Sequence, residues 1–145
     1  MSQVACRWDS TITMVTFSSS LYEQVVAHCR RDYPKEACGI LAGQAGVVAQ
    51  VYPMTNVEAS PIGYSMDPRE QLRVERQMRQ AGQRMAGIYH SHTASAAYPS
   101  SVDVSLAISP DIAYVLVSLK DQDHPDVKSY RIDGKTITEE PVQIG

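Results

Sequence analysis

The apolar positions of this chain change period repeatedly, and each change marks a predicted element. In "STITMVTFS", Ile12, Met14 and Thr16 alternate with polar or smaller partners, which predicts a first strand. The period lengthens in "SSSLYEQVVAHCRRDYP". There Leu21, Val25 and Cys29 recur at helical spacing behind serines able to cap, and Pro34 stops the run. "EACGILAG", bounded by Gly43, reads as a short buried strand, and "GVVAQVYPM" as its hairpin partner through "GQAG". "TNVEASPIGYSM" has no period and is punctuated by Pro61 and Gly63, so it reads as loop. Asp67 then caps a helix with Pro68 in its first position. That helix runs through "PREQLRVERQMRQAG" to Gly82, with a solvated face over a core stripe of Leu72, Met78 and their neighbours. "RMAGIYHSH" is a strand, and a short helix covers the stretch from Ser101 to Ile108. "AYVLVSL" is a buried strand, and "VKSYRIDGKTITEE" is a hairpin turning at Asp133-Gly134. This order suggests a mixed sheet with helices packed on it.

Composition narrows the class. The 145 residues are one domain's worth, 1–145, with 43% hydrophobic and 20% charged residues, close to globular averages. A net charge of -3 without long runs gives no footprint for nucleic acid or an anionic membrane. The start, "MSQVACRWDSTITMVTF", lacks the charged-then-apolar order of a signal peptide, and no apolar stretch approaches the roughly 20 residues that span a bilayer. Cys6, Cys29 and Cys38 are odd in number and form no CxxC pair, which fits a reducing cytoplasm. A cytoplasmic protein is the expectation.

Candidate chemistry gathers in "YHSHTASAAYPSSVD". Residues two apart on a strand share a face, so His90 and His92 project together while Ser91 points away. Asp103, just past a small-residue loop, is the candidate third ligand. Two histidines and one carboxylate leave a fourth tetrahedral position open to water, the mark of a catalytic Zn²⁺ site. "SSVD" also reads as a capping box, with Ser100 as N-cap and Asp103 in the first turn. The two readings are compatible, because a capped helix start holds Asp103 rigidly. Glu36, at the mouth of the strand in "KEACGILAG", is the candidate general base; the plainer reading is a solvated carboxylate at a strand end.

Glu36 in "EACGILAG", "HSH", and "PSSVD" after seven intervening residues together resemble the JAMM metallopeptidases (MPN+, or Mov34/JAB1). "CGILAG" and "SPIGYSMDP" look like the small bacterial branch, and the resemblance extends from Val15 to Leu119. It implies an α+β domain: a curved mixed β-sheet flanked by helices, JAB1/MPN-like, with cytidine-deaminase-like layering. It further implies that His90, His92 and Asp103 ligate one Zn²⁺, that Glu36 moves the proton, and that Ser100 donates to the oxyanion. The implied substrate is the C-terminal tail of a ubiquitin-like sulfur-carrier protein. From that tail such enzymes remove an added amino acid or trim extra residues. An extended tail pairing with a sheet edge beside the metal would suit this chemistry. One departure is visible: Thr93 stands where many members carry Pro, which bears on the stiffness of the adjoining loop.

Other readings stay open at this level. Cys38 shares a face with Glu36 and could serve as a nucleophile with a histidine and Asp103, or be a small buried core residue. An iron oxygenase shares the ligand set but leaves Glu36 and Ser100 without work. A zinc deaminase would want H-x-E and P-C-x-x-C, both absent. A metal-free MPN scaffold that only binds partners is the non-enzymatic alternative. His28, beside Arg30 and Arg31, reads as solvated, and His124 in "DQDHPD" as a turn residue.

Overall fold

The computed structural model describes residues 14–145. In chain order the elements are β1 (Val15–Phe17), α1 (Ser19–Asp32), β2 (Cys38–Gln44), β3 (Val47–Met54), α2 (Pro68–Gln80), β4 (Arg84–His92), α3 (Ser101–Ser105), β5 (Ala113–Ser118), β6 (Asp126–Asp133), β7 (Thr136–Glu140) and β8 (Val142–Ile144). The strands form one mixed sheet in the order β7-β6-β5-β4-β2-β3-β1-β8. The two outermost strands, β7 and β8, are separated in the chain by Pro141 alone, so the sheet must curl strongly. β4 is flanked by β2 (antiparallel) and β5 (parallel), which places its histidines in the interior of the sheet.

The sheet separates two apolar layers. On one face Leu41, Tyr89, Val115 and Val117 pack with Val25 and Cys29 of α1. On the other, Cys38, Ile40 and Ala42 pack with Val74 and Met78 of α2, and Ile88 and Tyr114 continue that layer. Leu41, Ile40 and Leu116 are wholly buried, each contributing roughly 1.5–3 kcal/mol by leaving water. Local chemistry sets the boundaries. Ser18 caps α1 by accepting from the Leu21 N–H at 3.2 Å, and Asp67 caps α2 with Pro68 at its start. The β2–β3 hairpin turns through Ala45 and Gly46, both at positive φ (52° and 79°). Gly39 pairs directly with Tyr89, whose ring fills the space a Cβ would take.

Several expectations change. In β1 the buried residues are Val15 and Phe17, not the phase of Met14 and Thr16; Ile12 and Cys6 lie outside the described residues. The inward face is chosen by where the strand meets α1 and β8, which alternation alone does not specify. On α2 the buried pair is Val74 and Met78, four apart, while Leu72 is 63% exposed. Six residues from Leu72 to Met78 turn the helix well off one face. α3 is shorter than expected, ending at Ser105, and β8 had no forerunner in the pattern. Among the described residues no helix is long and apolar enough to cross a membrane.

Candidate metal centre

The end of β4 builds most of the site. His90 and His92 alternate onto the α2 face, both buried (3% and 5% exposed). Ser91 points the other way and clamps the strand to its neighbour: its N–H donates to the Ala37 carbonyl (3.0 Å), and its Oγ accepts from the Ala37 N–H (2.8 Å). Those bonds carry the β2–β4 pairing past Cys38↔His90, which sets Glu36 opposite His92 on the same face. Glu36 itself is buried.

Asp103 arrives on α3. The capping box is formed in both directions: the Asp103 N–H donates to Ser100 Oγ (3.1 Å), and the Ser100 N–H donates to Asp103 Oδ2 (2.8 Å). The box aims the carboxylate inward, with Oδ1 3.2 Å from His90 Nε2 and Oδ2 3.1 Å from His92 Nε2. The two Nε2 atoms are 3.2 Å apart. One ligand atom from each residue lies within 4.8 Å of the others, so this group could hold a metal ion. Ser100 is exposed, and its hydroxyl proton remains free to donate elsewhere.

The donor set fits a cation. Nδ1 of His92 lies 2.9 Å from the Ala96 carbonyl, which can only accept, so Nδ1 carries the proton and the neutral ring offers its Nε2 lone pair inward. That lone pair, the His90 Nε2 and two carboxylate oxygens converge on one point. Among the described residues the buried His90 Nδ1 has no hydrogen-bond partner, and its ring is steadied by Tyr64, tilted against it at a centroid distance of 4.7 Å. The electrostatic surroundings also favour positive charge at this point. Burial depresses the His92 imidazole, but the Asp103 carboxylate and the Ala96 carbonyl outweigh it, leaving its pKa raised. Burial pushes Asp103 up, yet the two histidines outweigh that too and hold it well below the usual carboxylate range. Burial raises Glu36 to about 7, opposed by His92 and helped by Asp103 and Glu58.

Comparison with known proteins supplies the family. A family model described as prokaryotic homologs of the JAB domain matches residues 18–133. The chain belongs to that family. As a JAB-domain protein it is 48% identical to the CysO-cysteine peptidase of Mycobacterium tuberculosis, over 92% of this chain and 93% of the relative. It is 32% identical to a desampylase of Haloferax volcanii, over 74% and 83%. A solution structure of a protein from Desulfitobacterium hafniense superposes with a TM-score of 0.83 at 39% identity, covering 91% of this chain and 93% of that one. A JAB1/MPN domain protein from Archaeoglobus fulgidus shares the fold at 19% identity and a TM-score of 0.58, over 89% and 99%. The curved mixed sheet with flanking helices is thus the JAB1/MPN fold.

His28 departs from the sequence expectation, Cys38 follows its reading as a small buried core residue, and the role of the loop after β3 went unseen. His28 is buried rather than solvated: Nδ1 meets the Tyr89 hydroxyl at 2.6 Å and Nε2 meets Asp32 at 3.1 Å, on the face of the sheet away from the site. Arg30 and Arg31 suggested solvent because neighbours in sequence cannot show which side of α1 faces the sheet. Cys38 is wholly buried, and burial pushes its thiol up to about 12, so a thiolate nucleophile is not available there near neutrality. Tyr64 and Asn56 both attach the loop after β3 to the site, a role that neither the Pro61 and Gly63 punctuation nor the family resemblance of "SPIGYSMDP" assigned to them. His124 lies in an exposed turn beside Asp121.

Proposed function

We propose that this JAB-domain protein is a zinc-dependent peptidase acting at the C-terminal tail of a ubiquitin-like, sulfur-carrier type of protein. The observation that carries the reading is the meeting of His90, His92 and Asp103 opposite Glu36. Its support from relatives is a chain named for peptidase action on a CysO-cysteine bond and matched over nearly its full length. A Zn²⁺ held by the three side chains would polarise a carbonyl and acidify water, the two tasks that amide hydrolysis needs.

The chain's own groups do the rest. Glu36, with a pKa near neutrality, accepts a proton from the attacking water and delivers it to the departing amine. Ser100 donates its free hydroxyl proton to the oxyanion of the tetrahedral intermediate, a contact worth about 3–4 kcal/mol where such donors have been removed from other hydrolases. Ala96 keeps His92 in the tautomer that faces inward.

The test combines metal analysis with a carrier fusion. Purified protein is expected to hold close to one equivalent of zinc. It should release the added residue from a ubiquitin-like domain extended beyond its Gly-Gly end, read by mass spectrometry. A chelator should stop the release and a thiol alkylator should not. Zinc well below one equivalent together with no release would favour the non-catalytic scaffold. Loss on alkylation but not on chelation would return the chemistry to Cys38.

A further inference from the structure

Glu36 lies just before β2 and outside its ladder, yet neither of its backbone groups is free. Its N–H donates to the Ser60 carbonyl (2.8 Å), and its carbonyl accepts from the Asn56 side-chain amide (3.0 Å). Both partners sit on one strap, residues 56–66, whose ends pair as an antiparallel bridge between Asn56 and Met66. Asn56 is the hub of that strap. Its Nδ2 also donates to the Gly63 carbonyl (3.0 Å), while its Oδ1 accepts from the N–H groups of Glu58 and Ser65 (each 3.0 Å). An amide offers two donors and two acceptor sites, so every position is used.

A second tie comes from the opposite side. Thr93, the residue directly after His92, is buried and donates its hydroxyl to the Pro61 carbonyl (3.1 Å). Proline at position 93 would have no such donor. The strap also carries Tyr64, tilted against His90. A single loop therefore grips the backbone of the proposed base, one imidazole and the strand end that follows the other.

We infer that Asn56 and Thr93 are positioning residues for the hydrolytic reaction, locking the 56–66 strap so that Glu36 is held opposite His92. The inference rests on the proposed peptidase reading. Neither residue touches the reacting atoms; each acts through Glu36. Such control matters because a base must lie within hydrogen-bond reach of its proton, and a displacement of about 1 Å can cost on the order of a hundredfold in rate.

The test is a split of kcat from KM on the carrier fusion, with zinc content measured beside it. Asn56→Asp keeps shape and acceptors but loses both donors. It is expected to lower kcat by about tenfold or more, with KM within about twofold and zinc unchanged. Thr93→Val is expected to lower kcat by about threefold, and Thr93→Ser to restore it. Hydrogen exchange gives a reading that needs no variant: the wild-type Glu36 amide should be protected like those of β2, and should exchange faster in Asn56→Asp. Wild-type kcat in Asn56→Asp, a loss confined to KM or zinc, or an unprotected Glu36 amide in the wild type would each overturn the inference. Glu36→Gln separates the two levels. Full turnover in Glu36→Gln removes the catalytic reading itself, whereas an inactive Glu36→Gln beside a fully active Asn56→Asp removes only the positioning role.

Discussion

His28 and His90 sit on opposite faces of the same sheet, both buried and both about 3 Å from an aspartate. They differ in what is left over. His28 is the middle of a closed chain, with one nitrogen on Tyr89 and the other on Asp32. Among the described residues His90 leaves Nδ1 without a partner, and its Nε2 lies 3.2 Å from each of two atoms able to offer electron pairs, His92 Nε2 and Asp103 Oδ1. A histidine whose two nitrogens are each matched one to one is a structural brace. One whose nitrogen joins a convergence of acceptors could hold a cation.

The largest way to break that contrast is His90→Ala. On the proposed reading, loss of one of three ligands is expected to strip the zinc and lower kcat/KM on the carrier fusion by on the order of a thousandfold or more, with the fold intact by circular dichroism. Retained zinc and turnover would place His90 with His28 among the braces. Next, Glu36→Gln is expected to keep zinc while lowering kcat by about a hundredfold or more, since only the proton acceptor is gone. His28→Phe should do the reverse: unchanged zinc and kcat, but a stability loss of about 1–3 kcal/mol in denaturant titration, from the buried Tyr89 hydroxyl it leaves unpaired.

The same variant has a pH signature. Burial lowers the pKa of folded His28 below its ordinary 6.5, against the opposing pull of Asp32, so protons bind the unfolded chain more readily. The stability held by neutral His28 is complete above about pH 6.5 and is lost as the pH falls toward the lowered folded value. His28→Phe should therefore flatten the decline of stability on the acid side, measured by melting between neutral and mildly acidic pH. The smallest expected effect concerns Cys29 and Cys38. Both are wholly buried with thiols pushed up to about 12, so alkylation of the native protein should leave turnover unchanged.

What the sequence made legible was local. Alternation along β4 put His90 and His92 on one face, and the "SSVD" capping box fixed Asp103 within its own turn. The brace was not legible, because His28 meets a tyrosine 61 residues away and only the register of Tyr89 against Gly39 brings the two together. Leu72 was misplaced for a related reason: an apolar residue on a helix is not buried unless something lies opposite, and Val74 and Met78 own that face. Asn56 looked like ordinary loop chemistry, since its work is done on carbonyls and amides that carry no side-chain signature.

Position 39 couples the two faces. The Tyr89 ring rests where any other residue would carry its first side-chain carbon, so even a methyl group there must evict the tyrosine from its socket. Tyr89 is covalently next to His90 and hydrogen-bonded to His28. Alanine at 39 would thus disturb the brace and the proposed metal ligand together, injuring a centre it never touches.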